Sequence, residues 1–426
     1  MARATQNPIQ AVRGMNDILP SDIGRWRWLE GTFRTAFERA GFHEVRTPIV
    51  EPTNLFVRAV GETTDVVEKE MYAFERHDEG LTIRPEGTAG AARAYIEHSI
   101  YAKEPISRWY YIGPMFRGER PAKGRYRQFY QAGAEIFGDH GPGCDAELID
   151  LLHGVLTALG LVNVDVIINS LGGAETRARF KEELVKYLEP HRERLSTDSQ
   201  RRLASNPLRI LDSKAPQDRE ISAGAPTLHE FLTAEDQAHF NELRQMLDRL
   251  GTPYRVDPHL VRGLDYYTRT LFEVKAAADK LGAGDTVLGG GRYDGLVEDL
   301  GGPKTPAIGF AAGLERLLIA TESNQASDPL DVYIAALGNA AQREGLVLAR
   351  DLRAAGFSCE VDTRGTSIKS QLRRSEGLAA RAAIILGDAE LAEKVYAVKN
   401  LAAHTQSKVA AVDVVAHLSQ TLRAAT

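Results

Sequence analysis

The chain has only two cysteines in 426 residues, Cys144 and Cys359, and they stand far apart in no Cys-x-x-Cys pair. Neither a disulfide framework nor a thiolate zinc site is therefore expected, and two buried thiols are the ordinary interpretation. No apolar run approaches the roughly 20 uninterrupted residues that span a bilayer, and the amino-terminal segment lacks the apolar core of a secretion signal. We expect a cytoplasmic protein without a membrane segment.

A large excess of positive charge is also missing. The formal net charge is −6, which argues against a protein that coats nucleic acid non-specifically, because such binding rests on many phosphate contacts. Two stretches, 117–127 and 369–381, are denser in Lys and Arg than the chain around them. Each alone could be an ordinary solvated surface. The nucleotide loops G-x-x-x-x-G-K-[ST] and G-x-G-x-x-G are absent, as is the zinc motif H-E-x-x-H.

What is present is the composition of a folded protein too long for one ordinary core, so two or three domains are expected. A polar run at 321–330 indicates a boundary between residues 1–325 and 331–426. The second segment alternates strand-like and helix-like runs, which predicts a small α/β domain. Within the first, residues from about 171 to 255 are charged and helix-like without a catalytic-looking cluster, which indicates an inserted helical subdomain.

Three segments carry candidate chemistry, and the first is IRPEGT at 83–88. A proline and a glycine flank Glu86, so its carboxylate should lie at a turn entering a helix. There it could meet the ammonium group of a ligand in a charge-assisted contact. The alternative is a favourable partner for the helix dipole.

The second segment, 116–135, reads as a hairpin with a polar, glycine-bearing loop. Alternate residues of the returning strand share one face, which would present an aromatic platform, an amide, a glycine gap and a carboxylate. A base could stack on Phe129 while Arg117 neutralised a phosphate, and Gln131 and Glu135 addressed a small polar substrate. An amphipathic hairpin with surface salt bridges is the alternative, but it leaves the inward carboxylate unexplained.

The third segment, GFAAGLERLL at 309–318, predicts a strand running into an apolar helix. Gly309 and Gly313 permit close backbone approach, and a buried Arg316 would need an anionic partner such as a triphosphate. Tight helix packing is the alternative for the glycines.

Together these segments resemble a known family. The hairpin and the Gly-x-x-x-Gly-x-x-Arg element resemble motifs 2 and 3 of the class II aminoacyl-tRNA synthetases, and GFHEVRTPIVEP at 41–52 resembles motif 1, the dimer-forming segment. Within that class, LVRGLDYYTRTLFEV at 260–274 and GGGRYDGL at 289–296 resemble only the histidyl-tRNA synthetase family. The similarity runs from residue 11 to the last helix.

The resemblance implies an α+β class II catalytic domain, an antiparallel sheet flanked by helices with a helical insertion, followed by a C-terminal α/β anticodon-binding domain. It implies an ATP-dependent ligase that activates histidine to the adenylate and transfers it to the 3′ end of tRNA(His). Magnesium would be carried on the ATP phosphates, with no metal held by the protein alone. A homodimer formed through motif 1 is also implied.

Roles carry over to matching residues. Arg117 would contact the α-phosphate, Arg316 the γ-phosphate and Phe129 the adenine, while Arg125 and Glu119 help to hold ATP. In this family a guanidinium replaces a metal ion at the α-phosphate, a role that falls here to Arg262. The competing interpretation of Arg262 is an ion pair with a neighbour such as Asp265.

For histidine, Glu135 and Tyr267 would meet the imidazole ring, and Glu86, Gly87, Thr88 and Gln131 the amino acid backbone. Tyr266 and Tyr293 would line the pocket, unless they are simple core aromatics. Candidate tRNA contacts are Arg120, Lys369, Arg373 and Arg374.

The chain departs from the family pattern in two places. His404, Thr405 and Gln406 stand where a Gly-Glu-Gln turn is usual, and Ala122 stands where bacterial relatives often carry glutamine, which leaves recognition of the acceptor end open.

Two other functions compete with the ligase. One is a non-catalytic relative, a regulatory subunit that keeps the fold to sense histidine or to activate the first enzyme of histidine biosynthesis. The three arginines and the C-terminal domain count against it. The other, a structural RNA-binding protein, leaves the polar pocket residues without purpose.

Overall fold

The computed structural model describes residues 8–276, 281, 285–321 and 329–423. The chain divides into two units, Met1–Gln325 and Ala326–Thr426. Among the described residues, no helix combines the length and apolar character needed to cross a membrane.

The first unit contains eleven β-strands in its described part. They are β1 His43–Glu44, β2 Val50–Pro52, β3 Tyr72–Arg76, β4 Glu79–Ile83, β5 Ser107–Phe116, β6 Gln128–Phe137, β7 Asp165–Ser170, β8 Arg255–Val256, β9 Thr268–Lys275, β10 Thr286–Arg292 and β11 Ala307–Gly313.

Ten α-helices accompany these strands within the same described ranges. They are α1 Ile23–Arg39, α2 Thr53–Val60, α3 Thr88–Glu97, α4 Pro142–Ala158, α5 Ala174–Leu188, α6 Thr197–Ser205, α7 Pro216–Ser222, α8 Ala234–Leu250, α9 Leu296–Asp299 and α10 Leu314–Ala320.

An eight-stranded sheet forms the centre of this unit, in the order β1-β5-β6-β11-β10-β9-β7-β8. The six inner strands pair antiparallel, as the fold class predicts, while β1 with β5 and β8 with β7 pair parallel at the two edges. The hairpin predicted from the sequence is β5 and β6. A separate three-stranded sheet has the order β2-β4-β3.

Helices cover the sheet and bury one apolar stripe each. In α1 the buried residues Trp26, Leu29, Phe33 and Phe37 recur at helical spacing, and the ring of Phe37 packs 5.1 Å from that of Tyr110 on β5. The segment predicted as a helical insertion holds α5 to α8. Its last helix, α8, places Phe240, Leu243 and Leu247 in the same core as α1 and α4, so that helix is part of the main body.

The second unit has a five-stranded sheet in the order β13-β12-β14-β15-β16. Its strands are β12 Val332–Ala336, β13 Cys359–Val361, β14 Ala382–Leu386, β15 Val395–Asn400 and β16 Thr405–Ala410. Its helices are α11 Asn339–Ala354, α12 Ile368–Gly377, α13 Asp388–Glu393 and α14 Val414–Arg423. The predicted alternation of strand and helix is thus observed, with a mixed sheet.

The turn that departs from the family pattern joins β15 to β16. His404 takes a φ of 52°, the left-handed region that glycine usually occupies, and the side chain of Asn400 accepts a hydrogen bond from the Ala403 amide at 2.9 Å. The hairpin therefore forms without the glycine. Both cysteines are buried and unpaired, as expected.

Candidate active site

One cleft of about 400 Å³ opens over the inner strands of the large sheet. Its walls come from the β5–β6 loop, β6, β10, β11, the segment before β9 and the helical insertion. The three arginines Arg117, Arg262 and Arg316, which lie up to about 200 positions apart in the sequence, all line it. Phe129, Gln131, Glu119 and Arg125 line it as well.

Glu135 lies at the inner end of β6, where it is wholly buried. Its carboxylate accepts hydrogen bonds from the hydroxyls of Thr88 at 2.8 Å and Tyr111 at 3.0 Å, and also from the hydroxyl of Tyr293. Three neutral donors favour the carboxylate form, whereas burial opposes it. Burial is the larger effect and raises the pKa of Glu135 to about 8.

Glycines make room for this carboxylate and its donors. A Cβ on Gly309, the partner of Glu135 across β11 and β6, would lie 1.6 Å from a carboxylate oxygen of Glu135. A Cβ on Gly87 or Gly133 would lie 2.3 or 2.4 Å from the ring of Tyr111. These positions therefore require glycine for close packing around a polar group.

Burial also raises the pKa of Tyr111 and of Tyr293 well above the ordinary tyrosine value, so both hydroxyls stay protonated and act as donors. The ring of Tyr266 packs 4.7 Å from that of Tyr267 and 5.6 Å from that of Tyr293. All three tyrosines are buried, so they belong to the core and to the surroundings of Glu135 at once.

Glu86 has the second of the two roles considered from the sequence, that of a partner for the helix start. Its carboxylate oxygens accept the backbone amides of Thr88 at 2.7 Å and Ala89 at 2.8 Å, which caps the start of α3. The side chain is buried beside the Glu135 cluster, and burial raises the pKa of Glu86. A carboxylate oxygen can accept more than one hydrogen bond, so the cap leaves capacity for a cationic ligand.

Arg262 lies in the irregular segment between β8 and β9. Its guanidinium donates to Glu273 on β9 at 3.1 Å, so Arg262 does form an ion pair, but its partner is Glu273; Asp265 pairs instead with Arg209, at 3.1 Å. A Cβ on Gly289 would lie 1.7 Å from Nη1 of Arg262. The glycine run of β10 thus provides the space in which this guanidinium lies.

Arg117 follows the end of β5, and its Nε donates to the carbonyl of Pro85 at 2.9 Å. Its guanidinium carbon lies 5.4 Å from the centre of the Phe129 ring, which is a cation–π contact. The residue predicted to stack on a base and the residue predicted to bind a phosphate therefore touch each other. A planar base stacked on Phe129 would therefore have this arginine as its neighbour.

Arg316 and Arg125 form the third cationic region. Arg316 lies in the first turn of α10. Its pKa is lowered mainly by burial and, to a smaller extent, by the positive charge of Arg125. Arg125 pairs with Glu119 across the loop at 3.5 Å. Like charges held close together in a partly buried cleft favour a polyanionic ligand.

Gln131 lies on β6 between the two ends of the cleft. Its side-chain oxygen is buried and finds no hydrogen-bond partner among the residues that the structure describes. Buried polar atoms are rarely left without a partner, so this oxygen is suited to accept a hydrogen bond from a ligand.

Several residues of the site were not anticipated from the sequence. Tyr111 could have been found, because the antiparallel hairpin register places it opposite Gly133. Glu273, Arg209, Asp212 and Lys214 also line the cleft, and the last three come from the insertion that was expected to carry no cluster of this kind. No local pattern marks them, since only the folded chain brings α6 and α7 to the cleft.

A buried ion pair lies next to Tyr293. Arg292 is wholly buried and donates to Asp145 of α4 at 2.6 Å and to the carbonyls of Asp139 and Gly141 at 2.8 and 2.7 Å. Arg292 thus ties the end of β10 to α4. Because Tyr293 is the next residue, this contact helps to fix the position from which Tyr293 bonds to Glu135.

The candidate tRNA contacts lie elsewhere. Lys369, Arg373 and Arg374 are exposed on α12 of the second unit, where Arg374 pairs with Glu360 at 2.7 Å. Arg120 is exposed in the β5–β6 loop of the first unit.

Comparisons with known proteins give matches to both units of the chain. The family model for histidyl-tRNA synthetase matches residues 14–317, and that for the anticodon binding domain matches 331–421. A histidine–tRNA ligase of Sorangium cellulosum is 57% identical over 401 residues, 94% of each chain. The apo histidyl-tRNA synthetase of S. aureus superposes with a TM-score of 0.82 at 36% identity, covering 96% of this chain and 100% of its own.

A third similarity concerns fold alone. A protein of Bacillus halodurans, described as an ATP phosphoribosyltransferase regulatory subunit/histidyl-tRNA synthetase, superposes with a TM-score of 0.65 at 23% identity. It covers 89% of this chain and 99% of its own.

Proposed function

Because this chain belongs to the histidyl-tRNA synthetase family, its activity is that of a histidine–tRNA ligase, and we propose that the cleft described above is where histidine and ATP react. The buried hydroxyl-lined carboxylate would select histidine, and the three arginines would bind the phosphates. The observation that carries this proposal is the continuity of the two regions: Gln131 lines the arginine cleft, and four residues further along β6 stands Glu135.

Histidine would be selected because it can form hydrogen bonds in the pocket that an apolar amino acid cannot form. Glu135 and Tyr267 would pair with the two ring nitrogens, and the capped carboxylate of Glu86, with Gly87, Thr88 and Gln131, would hold the α-amino and carboxylate groups. An apolar amino acid of similar size would leave the buried Glu135 without a ring partner. Unpaired buried polar groups give strong discrimination, so a separate editing site is not required.

The first step is a displacement at phosphorus. A carboxylate oxygen of histidine bonds to the α-phosphorus of ATP, the bond to the bridging oxygen breaks, and pyrophosphate leaves. Charge grows on the phosphate oxygens, so catalysis depends on alignment and on fixed cations. Arg262, held by Glu273 at 3.1 Å, and Arg117, held by Pro85, would contact the α-phosphate, with Arg316 at the γ-phosphate.

ATP would be kept in place by Phe129 against the adenine and by Arg125 and Glu119 of the loop. Magnesium would bind the outer phosphates. It would be held mainly by ATP and water, because this ion keeps much of its hydration shell.

In the second step a hydroxyl of the terminal ribose of tRNA attacks the histidinyl carbonyl, and AMP leaves. Arg120 of the loop would contact the acceptor end, and Lys369, Arg373 and Arg374 of α12 would contact phosphates of the tRNA body. Phosphate contacts position the tRNA, whereas reading of its first base pairs would depend on neighbours of Ala122.

A homodimer through motif 1 is also proposed. Two strands of this segment are sheet edges, β1 in the large sheet and β2 in the three-stranded sheet, and Ile49 and Val50 at the start of β2 expose 44% and 43% of their surfaces. Exposed β-branched residues beside a sheet edge are suited to an interface. As an enzyme of translation, the protein would work in the cytoplasm.

The test is exchange of radiolabelled pyrophosphate into ATP by the pure protein, with and without histidine, followed by charging of tRNA(His). Histidine-dependent exchange and charging are expected. Histidine binding without exchange would instead support the regulatory relative, and tRNA binding without either would support a structural RNA-binding protein.

A further inference from the structure

Arg209 belongs to the inserted helical segment, just before α7, yet it contacts the chain that carries Arg262. Its Nη2 donates to the carbonyl of Gly263 at 2.5 Å, and its Nε donates to Asp265 at 3.1 Å. Only 8% of Arg209 is exposed. Two bonds from one planar group fix both the position and the orientation of the chain they hold.

The chain so held is also anchored further upstream, where Asn169 donates to the carbonyl of Leu260 at 2.9 Å. Between β8 and β9 it has no regular structure, and the amide of Asp265 donates to the carbonyl of Val60 at 3.3 Å. Gly263 is the residue next to Arg262, so a shift of its carbonyl moves the Arg262 backbone directly. The insertion is therefore attached to the site one residue from the guanidinium proposed to act on the α-phosphate.

We propose that Arg209 is a positioning residue for Arg262, through which the helical insertion becomes part of the machinery of adenylate formation. This rests on the proposed function of the cleft. Loss of the Arg209 guanidinium removes both donors, which leaves the Asp265 carboxylate without that partner and takes two restraints from residues 263–265. A misplacement of about 1 Å can lower a rate about 100-fold.

The experiment is a double-mutant cycle on pyrophosphate exchange. Arg209→Met should lower kcat about 100-fold, and Arg209→Lys, which can keep one of the two bonds, about 10-fold. In an Arg262→Gln background, Arg209→Met should change the remaining rate less than about 2-fold, because its effect passes through Arg262. The matched control is Arg192→Ala, an exposed arginine of the insertion that pairs with Glu189 at 3.0 Å, which should leave kcat unchanged.

Two results would overturn the proposal: full activity in Arg209→Met, or an equal loss with and without Arg262, which would mean that Arg209 acts on substrate by itself. Should Arg209→Met fail to fold, Arg209→Lys is run through the same cycle.

Amide hydrogen exchange separates this proposal from the proposed function. Exchange in residues 260–267 should rise in Arg209→Met, or in Arg209→Lys, but not in Arg192→Ala. If amide hydrogen exchange is faster in the Arg209 variant but the unmodified protein catalyses no pyrophosphate exchange, the proposed function is refuted and the anchoring role of Arg209 stands. If the unmodified protein is active and amide hydrogen exchange in residues 260–267 is the same in the variant, only the anchoring role of Arg209 is refuted.

Discussion

A single methyl group on Gly289 should inactivate the enzyme without unfolding it. The Cβ of Gly289→Ala would lie 1.7 Å from Nη1 and 2.4 Å from Cζ of Arg262, and its three nearest atoms all belong to that side chain. Non-bonded heavy atoms need about 3.5 Å, so the guanidinium has to move by about 2 Å. The flexible side chain of Arg262 can move away from the added methyl group, so the neighbouring strands β9 and β11 need not shift.

A displacement of about 2 Å takes Arg262 away from Glu273 and from the proposed α-phosphate position. At about 100-fold per ångström for well-aligned groups, kcat for pyrophosphate exchange should fall at least about 100-fold, which corresponds to about 2.7 kcal/mol of transition-state stabilisation. The thermal midpoint should change little. The assay is steady-state exchange over a range of histidine and ATP concentrations.

The matched control is Gly31→Ala on α1, where an added Cβ meets nothing within 4 Å. Alanine inside a helix is favoured over glycine by about 1 kcal/mol, so this variant should be fully active and slightly more stable. Normal exchange by Gly289→Ala, with wild-type stability, would refute the placement of Arg262 in the reaction.

Three further predictions concern pH, stability and tRNA. Because the pKa of Glu135 is raised to about 8, the stability associated with its protonation is complete below about 4.5 and is lost as the pH rises to 8. The midpoint of thermal unfolding of the ligand-free protein should therefore fall, relative to Glu135→Gln, across that range; parallel curves would contradict this. Arg292→Met removes the guanidinium partner of the wholly buried Asp145, which keeps the Thr270 hydroxyl as a donor, and should cost about 3–5 kcal/mol in urea unfolding. Much of this loss should be recovered in the double variant with Asp145→Leu, and no recovery would contradict the role given to the buried pair. Lys369→Ala or Arg373→Ala should each reduce the slope of log K for tRNA against log salt by about 0.7–0.9, and an unchanged slope for both would remove α12 from the interface.

Much of the architecture could be predicted because the signals were local. The β5–β6 hairpin, the strand that enters α10 and the alternating elements of the second unit each lie within one continuous stretch, where periodicity and glycine positions suffice. Gly309 could be predicted to allow a close approach by another group, but the sequence did not identify that group. That Glu135 lies there depends on the pairing of β6 with β11, which are about 170 residues apart.

What could not be predicted depends on long-range contacts of the same kind. Arg292 looked like part of a glycine-rich block, yet it forms a buried pair with Asp145, about 150 positions earlier. Arg209 stood in a charged helical stretch where many arginines are surface residues. Only the fold distinguishes it from Arg192, because only the fold places it against Gly263.

We propose that the work is divided along one cleft, where the carboxylate of Glu135 recognises histidine and the guanidinium of Arg262 stabilises the transition state at phosphorus. The most direct test is to measure KM for histidine and kcat of pyrophosphate exchange in Glu135→Gln and Arg262→His. Glu135→Gln should raise KM about 10- to 100-fold, the range for a charged hydrogen bond, and Arg262→His should lower kcat about 1,000-fold while KM changes less than about 3-fold. A change in the same parameter in both variants, or wild-type values in either, would contradict this division between Glu135 and Arg262.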